Sequence, residues 1–248
     1  MILSKSDLQK IQEIIEQLQK VVVESEVETE LLRLKEIIPF STFALSLIEM
    51  NNKFDLIDYQ QVCDFSEEWK NRYLQGQYWL HEDVIHLERF KALPTEVKRW
   101  QDIYKKLELT AKQKDFLGES IDFGLRDGYM YGYSSIRFRE ASLMTISGGA
   151  NELEFNDRSK FVIQHLTPHF HAAMVRVKIA KNRKVLTETQ LQVLELTVLG
   201  LTAKDIALEL GKSVRAVEDL SKRLKENLDA HRTPDAIAKS IELGLIRI

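Results

Sequence analysis

The sequence predicts an α+β protein with two parts: an N-terminal α/β/α sandwich around an antiparallel sheet, and a C-terminal all-α four-helix helix-turn-helix domain. Three observations predict this division. Apolar residues alternate in several segments between residues 37 and 147, as they do in half-buried strands. Segments with helical periodicity flank those strands. After residue 186, every apolar pattern repeats at helical spacing.

Local patterns predict the first elements in order. Residues 6–36 carry apolar side chains at helical spacing, which is typical of amphipathic helices. Residues 37–50 become strand-like after Pro39, and residues 55–62 form a second alternating segment, so together they predict a β-hairpin. Ser66 is placed to cap the helix that follows it.

The rest of the first part repeats this order of helix and strands. Residues 111–125 are amphipathic and run into a turn that contains glycine. Residues 130–138 and 141–147 alternate and suit an antiparallel pair. Residues 156–181 predict one long helix that contains Pro168.

A basic segment with little apolar periodicity, residues 177–185, is predicted to be a linker. It divides the chain into a first domain of residues 1–176 and a second domain of residues 186–248.

Four helices are predicted in the second domain from their caps. Thr187 and Gln190 form a capping box at the start of the first helix. Thr202 and Ser213 are placed to cap the second and third helices, and the fourth spans about residues 234–243.

Composition excludes several classes of protein. The formal charge of −3 argues against a globally basic protein that coats nucleic acid. Cys63 is the single cysteine, so no intramolecular disulfide is expected. The first residues lack the apolar segment of a secretory signal, and no apolar run reaches membrane-spanning length, so we expect a cytoplasmic protein without membrane contact.

The sequence shows no motif that carries catalysis or binds a metal. His81 and His86 are five residues apart, whereas a helical zinc site needs histidines four apart. We find no phosphate-binding glycine loop, nucleophile elbow or convincing acid/base pair. We therefore predict no enzyme activity, no catalytic residues, no metal and no cofactor.

The C-terminal segment resembles the DNA-binding domain of the LuxR family over about 60 residues without a gap. The resemblance rests on many positions spread over four helices. The matching positions are Leu186-Thr187, Val193-Leu194, Leu199-Gly200, Lys204-Asp205-Ile206-Ala207, Leu210-Gly211, Ser213, Val217, Leu228, Arg232-Thr233, Ala236 and Gly244-Leu245-Ile246.

The N-terminal part resembles the autoinducer-binding domain of quorum-sensing LuxR members, which bind N-acyl-homoserine lactones. Residues 36–47 (EIIPFSTFALSL) are similar to the first strand of that family, and residues 69–73 (WKNRY) match its Trp-x-x-x-Tyr motif. Residues 120–128 (SIDFGLRDG) match a segment built around Phe-Gly-Leu.

The resemblance implies a ligand-responsive bacterial transcription regulator that binds two-fold DNA sites as a homodimer. Its expected partners are double-stranded DNA, a small apolar signal and RNA polymerase. The signal would be an N-acyl-homoserine lactone or a different ligand. The alternative is an orphan regulator that needs no ligand, or does not bind DNA, and acts through protein contacts.

The resemblance also implies the ligand-binding residues. Phe65 stands where the family has a tyrosine, and Glu82 stands where it has an aspartate. Two unpaired polar contacts would weaken lactone binding by a factor on the order of 100. The aromatic residues at these positions suit either a plain core or an apolar pocket. The implied ligand-binding residues are Phe65, Trp69, Tyr73, Glu82, Trp100 and Ser142.

The third helix of the second domain, residues 213–228, is the expected recognition helix. At 100° per residue, Val217 belongs to its core side and Arg215, Glu218, Asp219 and Lys222 to its exposed side. The implied DNA-binding residues are Thr202, Lys204, Ser213, Val214, Arg215, Glu218, Asp219, Lys222, Arg223 and Lys225.

Glu218 and Asp219 are unusual on a helix that faces DNA phosphates. Spacing of four residues predicts that Arg215 pairs with Asp219, Lys222 with Glu218, and Arg223 with Asp219. A carboxylate can also accept a hydrogen bond from cytosine N4, and Arg215 or Lys222 could contact guanine, which predicts a half-site containing C and G. Alternatively, the two acids are simply solvated.

Overall fold

The computed structural model describes residues 3–50, 56–76, 78, 96–134, 140–148, 153, 156–183 and 185–246. The chain divides into two compact units, Met1–Val175 and Arg176–Ile248.

The first unit alternates helices with the strands of one sheet. Its last helix, α6, begins in this unit and ends in the second. The elements are α1 Lys5–Leu18, α2 Glu24–Leu34, β1 Thr42–Met50, β2 Leu56–Cys63, α3 Glu67–Gln75, β3 Lys98–Arg99, α4 Trp100–Tyr104, α5 Ala111–Asp122, β4 Asp127–Ser134, β5 Glu140–Gly148 and α6 Asp157–Arg183.

The sheet has five strands in the order β2-β1-β5-β4-β3, and every neighbouring pair is antiparallel. The predicted α+β class is therefore confirmed, as are the β1–β2 and β4–β5 pairs. The turn predicted between β1 and β2 lies outside the described residues. The sequence patterns did not predict β3, which has only two residues.

Both faces of strand β5 are buried, which shows how the sheet separates two cores. Leu143 and Thr145 face the side that contains α3 and α5. Ser142 and Met144 face α6, where Met144 Sδ lies 3.5 Å from the Thr167 hydroxyl. Successive residues of a strand point to opposite faces, so this one strand contributes to both cores.

The second unit contains the four predicted helices, α7 Glu188–Val198, α8 Ala203–Glu209, α9 Val214–Asn227 and α10 Thr233–Glu242. Their predicted caps are confirmed. The Thr187 and Thr202 hydroxyls each accept a backbone N–H three residues later, and Ser213 Oγ accepts from the N–H of Ala216 at 3.2 Å. One core cluster of buried side chains holds α7, α8 and α9 together: Val193, Ile206, Ala207 and Val217.

The segment predicted as a linker, residues 177–185, is helical as far as Arg183. Val177 and Lys178 are 3% and 4% exposed, and Ile179 packs against Gly244 in the C-terminal turn. These tertiary contacts stabilise a helix whose sequence shows little apolar repeat. The connection between the predicted domains therefore includes the end of α6.

Candidate functional site

The first unit contains a cavity of about 650 Å³ between the sheet and helices α3 to α5. Aromatic and aliphatic side chains form most of its wall, with a small number of polar groups. The described lining residues are Glu24, Glu28, Ala44, Ser46, Tyr59, Gln61, Val62, Cys63, Phe65, Trp69, Lys70, Tyr73, Leu74, Trp100, Tyr104, Phe116, Ser120, Leu125, Leu143 and Thr145. Such a cavity has the size and chemistry of a site for a small, largely apolar molecule.

Helix α3 places two aromatic rings in the cavity wall. Ser66 caps this helix by accepting from the N–H of Trp69 at 3.2 Å. Trp69 and Tyr73 follow one turn apart, with ring centroids separated by 6.0 Å. The Trp69 ring also lies 5.9 Å from that of Phe116 on α5, so α3 and α5 share one aromatic cluster.

Trp100 begins α4 and closes the cavity on the β4 side. Its side chain packs directly on Gly128, where a methyl group would lie 2.6 Å from Cε2 of the indole and 2.6 Å from the carbonyl oxygen of Ile146. The absence of a side chain at residue 128 is therefore what allows the indole to lie against the sheet. Trp100 is 8% exposed, and its Nε1 has no hydrogen-bond partner among the described residues.

A polar cluster on β1 and β2 supplies hydrogen-bonding groups to the cavity. Gln61 Nε2 donates to the Tyr59 hydroxyl at 2.6 Å and to Ser46 Oγ at 3.2 Å. Ser46 and Gln61 are direct partners across the two strands. Hydroxyl groups both donate and accept, so this cluster can contact the polar part of a ligand.

Lys70 and Cys63 are two titratable groups in the cavity wall. Lys70 Nζ donates a hydrogen bond of 2.9 Å to the Glu67 carboxylate, and this bond raises the Lys70 pKa. Burial raises the pKa of the Cys63 thiol, which keeps it protonated at neutral pH. Burial of the thiol therefore favours an unreactive form.

A second polar contact joins α3 to α5. Arg72 donates to both carboxylate oxygens of Glu119, at 2.9 and 2.8 Å, and the Tyr78 hydroxyl donates to Glu119 at 2.8 Å. The bond from Arg72 is the main cause of the lowered pKa of Glu119. This contact links the two helices that carry the aromatic cluster.

Four of the six predicted ligand-binding residues line the cavity: Phe65, Trp69, Tyr73 and Trp100. Glu82 lies outside the described residues. Ser142 is not among the described residues that line the cavity. Its Oγ lies 2.9 Å from Nδ1 of His171 on α6, because strand alternation turns Ser142 away and Leu143 towards the cavity.

Sequence patterns missed several residues of the wall, among them Phe116, Ser120 and Leu125. The amphipathic pattern predicted the helix α5, but not that Phe116 on it would face a cavity. The polar cluster of Ser46, Tyr59 and Gln61 was also missed. Its signal was the hydrogen-bonding side chains of Tyr59 and Gln61 at alternate positions of β2.

In the second unit, α9 exposes one charged face. Val217 and Leu224 are buried on the core side, whereas Arg215, Glu218 and Asp219 are exposed. The three ion pairs predicted from spacing of four residues are not formed. The described ion pair on this helix joins Lys222 to Glu226 at 4.0 Å. Exposed pairs of this kind are worth about 0.3–0.5 kcal/mol, too little to fix the side chains.

The remaining predicted DNA-binding residues lie around this face. Thr202 and Ser213 use their hydroxyls as helix caps, Val214 is exposed, and Lys204 is exposed on α8. Two further predicted residues, Lys222 and Arg223, are also exposed, and Lys225 is half-buried. Leu220 packs against the core cluster of α7, α8 and α9.

No group of three or more His, Cys, Asp or Glu side chains in the described part of the chain is arranged to hold a metal ion. None of the described helices is both long and apolar enough to cross a membrane.

Comparison with solved structures identifies the same architecture. Escherichia coli SdiA matches with a TM-score of 0.60 and 16% identity over 97% of this chain and 99% of that chain. SdiA in complex with octanoyl-rac-glycerol matches with a TM-score of 0.60 and 14% identity, over 100% and 99% of the two chains. CepR2 from Burkholderia cenocepacia, an N-acylhomoserine lactone dependent LuxR-family factor, matches with 0.52 and 17%, over 70% and 96%. At these identities the likeness shows the fold alone.

Comparison with protein families covers both units, although no curated protein sequence matches the chain. The family described as "Autoinducer binding domain" matches residues 24–174, which is more than half of the chain. The family described as "Bacterial regulatory proteins, luxR family" matches residues 184–240. The chain therefore belongs to the LuxR family of bacterial transcription regulators with an autoinducer-binding domain, a family of regulators rather than enzymes.

Proposed function

We propose that this regulator binds a small, largely apolar signal in the cavity of its first unit and responds by changing its binding to DNA. The observation that carries the proposal is the cavity of about 650 Å³, because an aromatic wall with a few polar groups is what such a ligand needs. A ligand that binds one arrangement of the protein selectively increases the population of that arrangement.

The chemistry of the wall indicates the kind of ligand. Phe65, Trp69, Tyr73 and Trp100 would contact its apolar part, and the hydroxyl of Ser46 would contact its polar part. Phe65 offers no hydroxyl, so the ligand loses one hydrogen bond that a tyrosine would donate. Octanoyl-rac-glycerol, which SdiA binds, and N-acyl-homoserine lactones, on which CepR2 depends, are the two classes to test.

The second unit would bind double-stranded DNA in the cytoplasm. Residues 1–176 would sense the ligand and form a homodimer, residues 177–185 would connect the domains, and residues 186–248 would bind DNA. Two copies of α9 would then enter major grooves about one helical turn apart on a two-fold site. Positions near the start of α9 would contact bases, namely Ser213, Val214, Arg215, Glu218, Asp219 and Lys222.

Affinity would come from phosphate contacts, since the exposed face of α9 carries acids as well as bases. Thr202 and Lys204 at the start of α8 would make some of these contacts, and Arg223 and Lys225 on α9 would make others. Arg232 is less available, because it donates to both carboxylate oxygens of Asp235. Bound dimers would then contact RNA polymerase.

A ligand-independent or DNA-incompetent regulator is the second candidate. Glu218 and Asp219 favour it, because no ion pair of the described residues neutralises them on α9. DNA binding that is unchanged by either class of ligand would support independence from ligand. The absence of DNA binding under all conditions would support action through protein contacts.

The single cysteine of the chain provides a direct test of the cavity. We expect octanoyl-rac-glycerol or N-octanoyl-homoserine lactone to slow alkylation of Cys63 by N-ethylmaleimide, because Cys63 lines the cavity. At a ligand concentration about ten times Kd, the rate should fall by about tenfold, since only the empty protein reacts. Mass spectrometry of quenched samples measures the rate.

The control is a variant whose cysteine lies outside the cavity. In the double variant Cys63→Ser and Gln12→Cys, the cysteine lies on the exposed face of α1, outside the cavity wall. Its alkylation should not respond to either ligand. A rate at Cys63 that neither compound changes would count against a ligand cavity for these two classes.

A further inference from the structure

The exposed face of α9 places one cation between two carboxylates. Glu218 follows Arg215 by three residues and Asp219 follows it by four, which sets them about 60° and 40° to either side of Arg215 around the helix. All three side chains are exposed. The ion pair described on this helix uses Lys222 and Glu226 instead, so neither acid is held by an ion pair of the described residues.

A carboxylate discriminates between bases in the major groove by whether the group that it meets donates or accepts a hydrogen bond. It can only accept hydrogen bonds. The exposed group of cytosine is the N4 amino group and that of adenine is the N6 amino group, and both donate. Guanine O6 and thymine O4 only accept, so a carboxylate placed against them has no hydrogen bond and is repelled.

Arginine has the opposite preference. Its guanidinium donates only, and its best partner in the major groove is the O6/N7 edge of guanine. Arg215 lies about one helical turn before the two acids. This face therefore matches a base edge that accepts at Arg215 and base edges that donate at the two acids. The carboxylates add little attraction, because the DNA phosphates repel them.

We propose that Glu218 and Asp219 act as two separate filters against keto bases at positions next to a guanine contacted by Arg215. Each acid would admit a base with an exocyclic amino group, cytosine first, and reject guanine and thymine at its own position. The inference rests on the proposed binding of DNA by α9, and it adds the class of sequence that is bound. Specificity here arises from exclusion, while affinity arises from the lysine and arginine contacts to phosphate.

The test is a selection from random duplex DNA with the full-length chain, performed with and without octanoyl-rac-glycerol. In the unchanged protein we expect a two-fold motif in which keto bases are about tenfold disfavoured at two positions of each half-site. Glu218→Gln should relax one of these positions and Asp219→Asn the other, because an amide both donates and accepts.

The two variants are matched controls for each other. Each removes one negative charge from the same exposed face, so both should tighten binding to all duplexes to a similar extent. They should differ in which base position loses its preference. Circular dichroism should show the same helix content for both, since the side chains are exposed and neither is a helix cap.

The outcomes separate the two proposals. If the unchanged protein enriches a two-fold motif but both variants keep the same preferences, the acids are solvated and the filter is wrong. If both variants relax the same position, separate filters are wrong. If the unchanged protein enriches no motif with or without the compound, the proposed DNA-binding function fails and the filter fails with it.

Discussion

Replacing Gly128 by alanine is expected to destabilise the first unit by about 3 kcal/mol. The added methyl group would lie 2.6 Å from the carbonyl oxygen of Ile146 and 2.6 Å from the indole of Trp100. The carbonyl belongs to β5, which is paired with β4 at Tyr129 and Ile146, so it cannot move without disturbing the sheet. The indole would have to move into the cavity instead. Urea unfolding followed by tryptophan fluorescence measures this change.

Tryptophan fluorescence is specific to this unit, because the three tryptophans, Trp69, Trp79 and Trp100, precede residue 175. Gly118→Ala is the matched control. A methyl group there has no atom within 4 Å, and the residue lies inside α5, so alanine should stabilise the unit by about 0.5–1 kcal/mol. A Gly128→Ala protein as stable as the unchanged one would mean that the indole does not pack on residue 128.

Helix starts were predictable because their chemistry is local. Ser66, Thr187, Thr202 and Ser213 each cap the helix that the sequence predicts there, since a hydroxyl and a backbone N–H three residues later are enough to form the cap. Long amphipathic patterns predicted the helices themselves. The Trp-x-x-x-Tyr spacing likewise put Trp69 and Tyr73 on one face of α3, and both line the cavity.

The parts that sequence could not predict depend on which face of an element meets which neighbour. In β5 both faces are buried, so polarity did not reveal that Leu143 faces the cavity while Ser142 faces α6. The end of α6 is stabilised by contacts with Gly244, far away in the sequence. The ion pairs predicted on the exposed face of α9 are not formed, for a different reason. A spacing of four residues allows such a pair, but the free energy of the pair is too small to enforce it.

Acid is expected to destabilise the first unit between pH about 6.5 and about 4, by up to about 3 kcal/mol, because of His171. His171 is 4% exposed, and burial lowers its pKa from 6.5 to about 4. In this pH range the unfolded chain binds a proton at this histidine and the folded protein does not. The free energy of unfolding therefore falls as the pH decreases through this range. Above the range, His171 is neutral in both the folded and the unfolded chain, so the stability is fully present there.

His171→Gln should remove this pH dependence, since glutamine does not titrate and can still hydrogen-bond to Ser142. Unfolding midpoints in urea at closely spaced pH values, again followed by tryptophan fluorescence, give the two curves to compare. Near pH 7.5 the variant should lose only the packing of the imidazole against Tyr133, whose ring lies 5.1 Å away.

The location of His171 makes the acid effect specific. It joins α6 to β5, so adding a proton there puts an uncompensated charge between helix and sheet, on the face opposite to the cavity. Acid should therefore weaken the packing of α6 on the sheet. If the curves of unfolding midpoint against pH are parallel for the variant and the unchanged protein, His171 is not the titrating group.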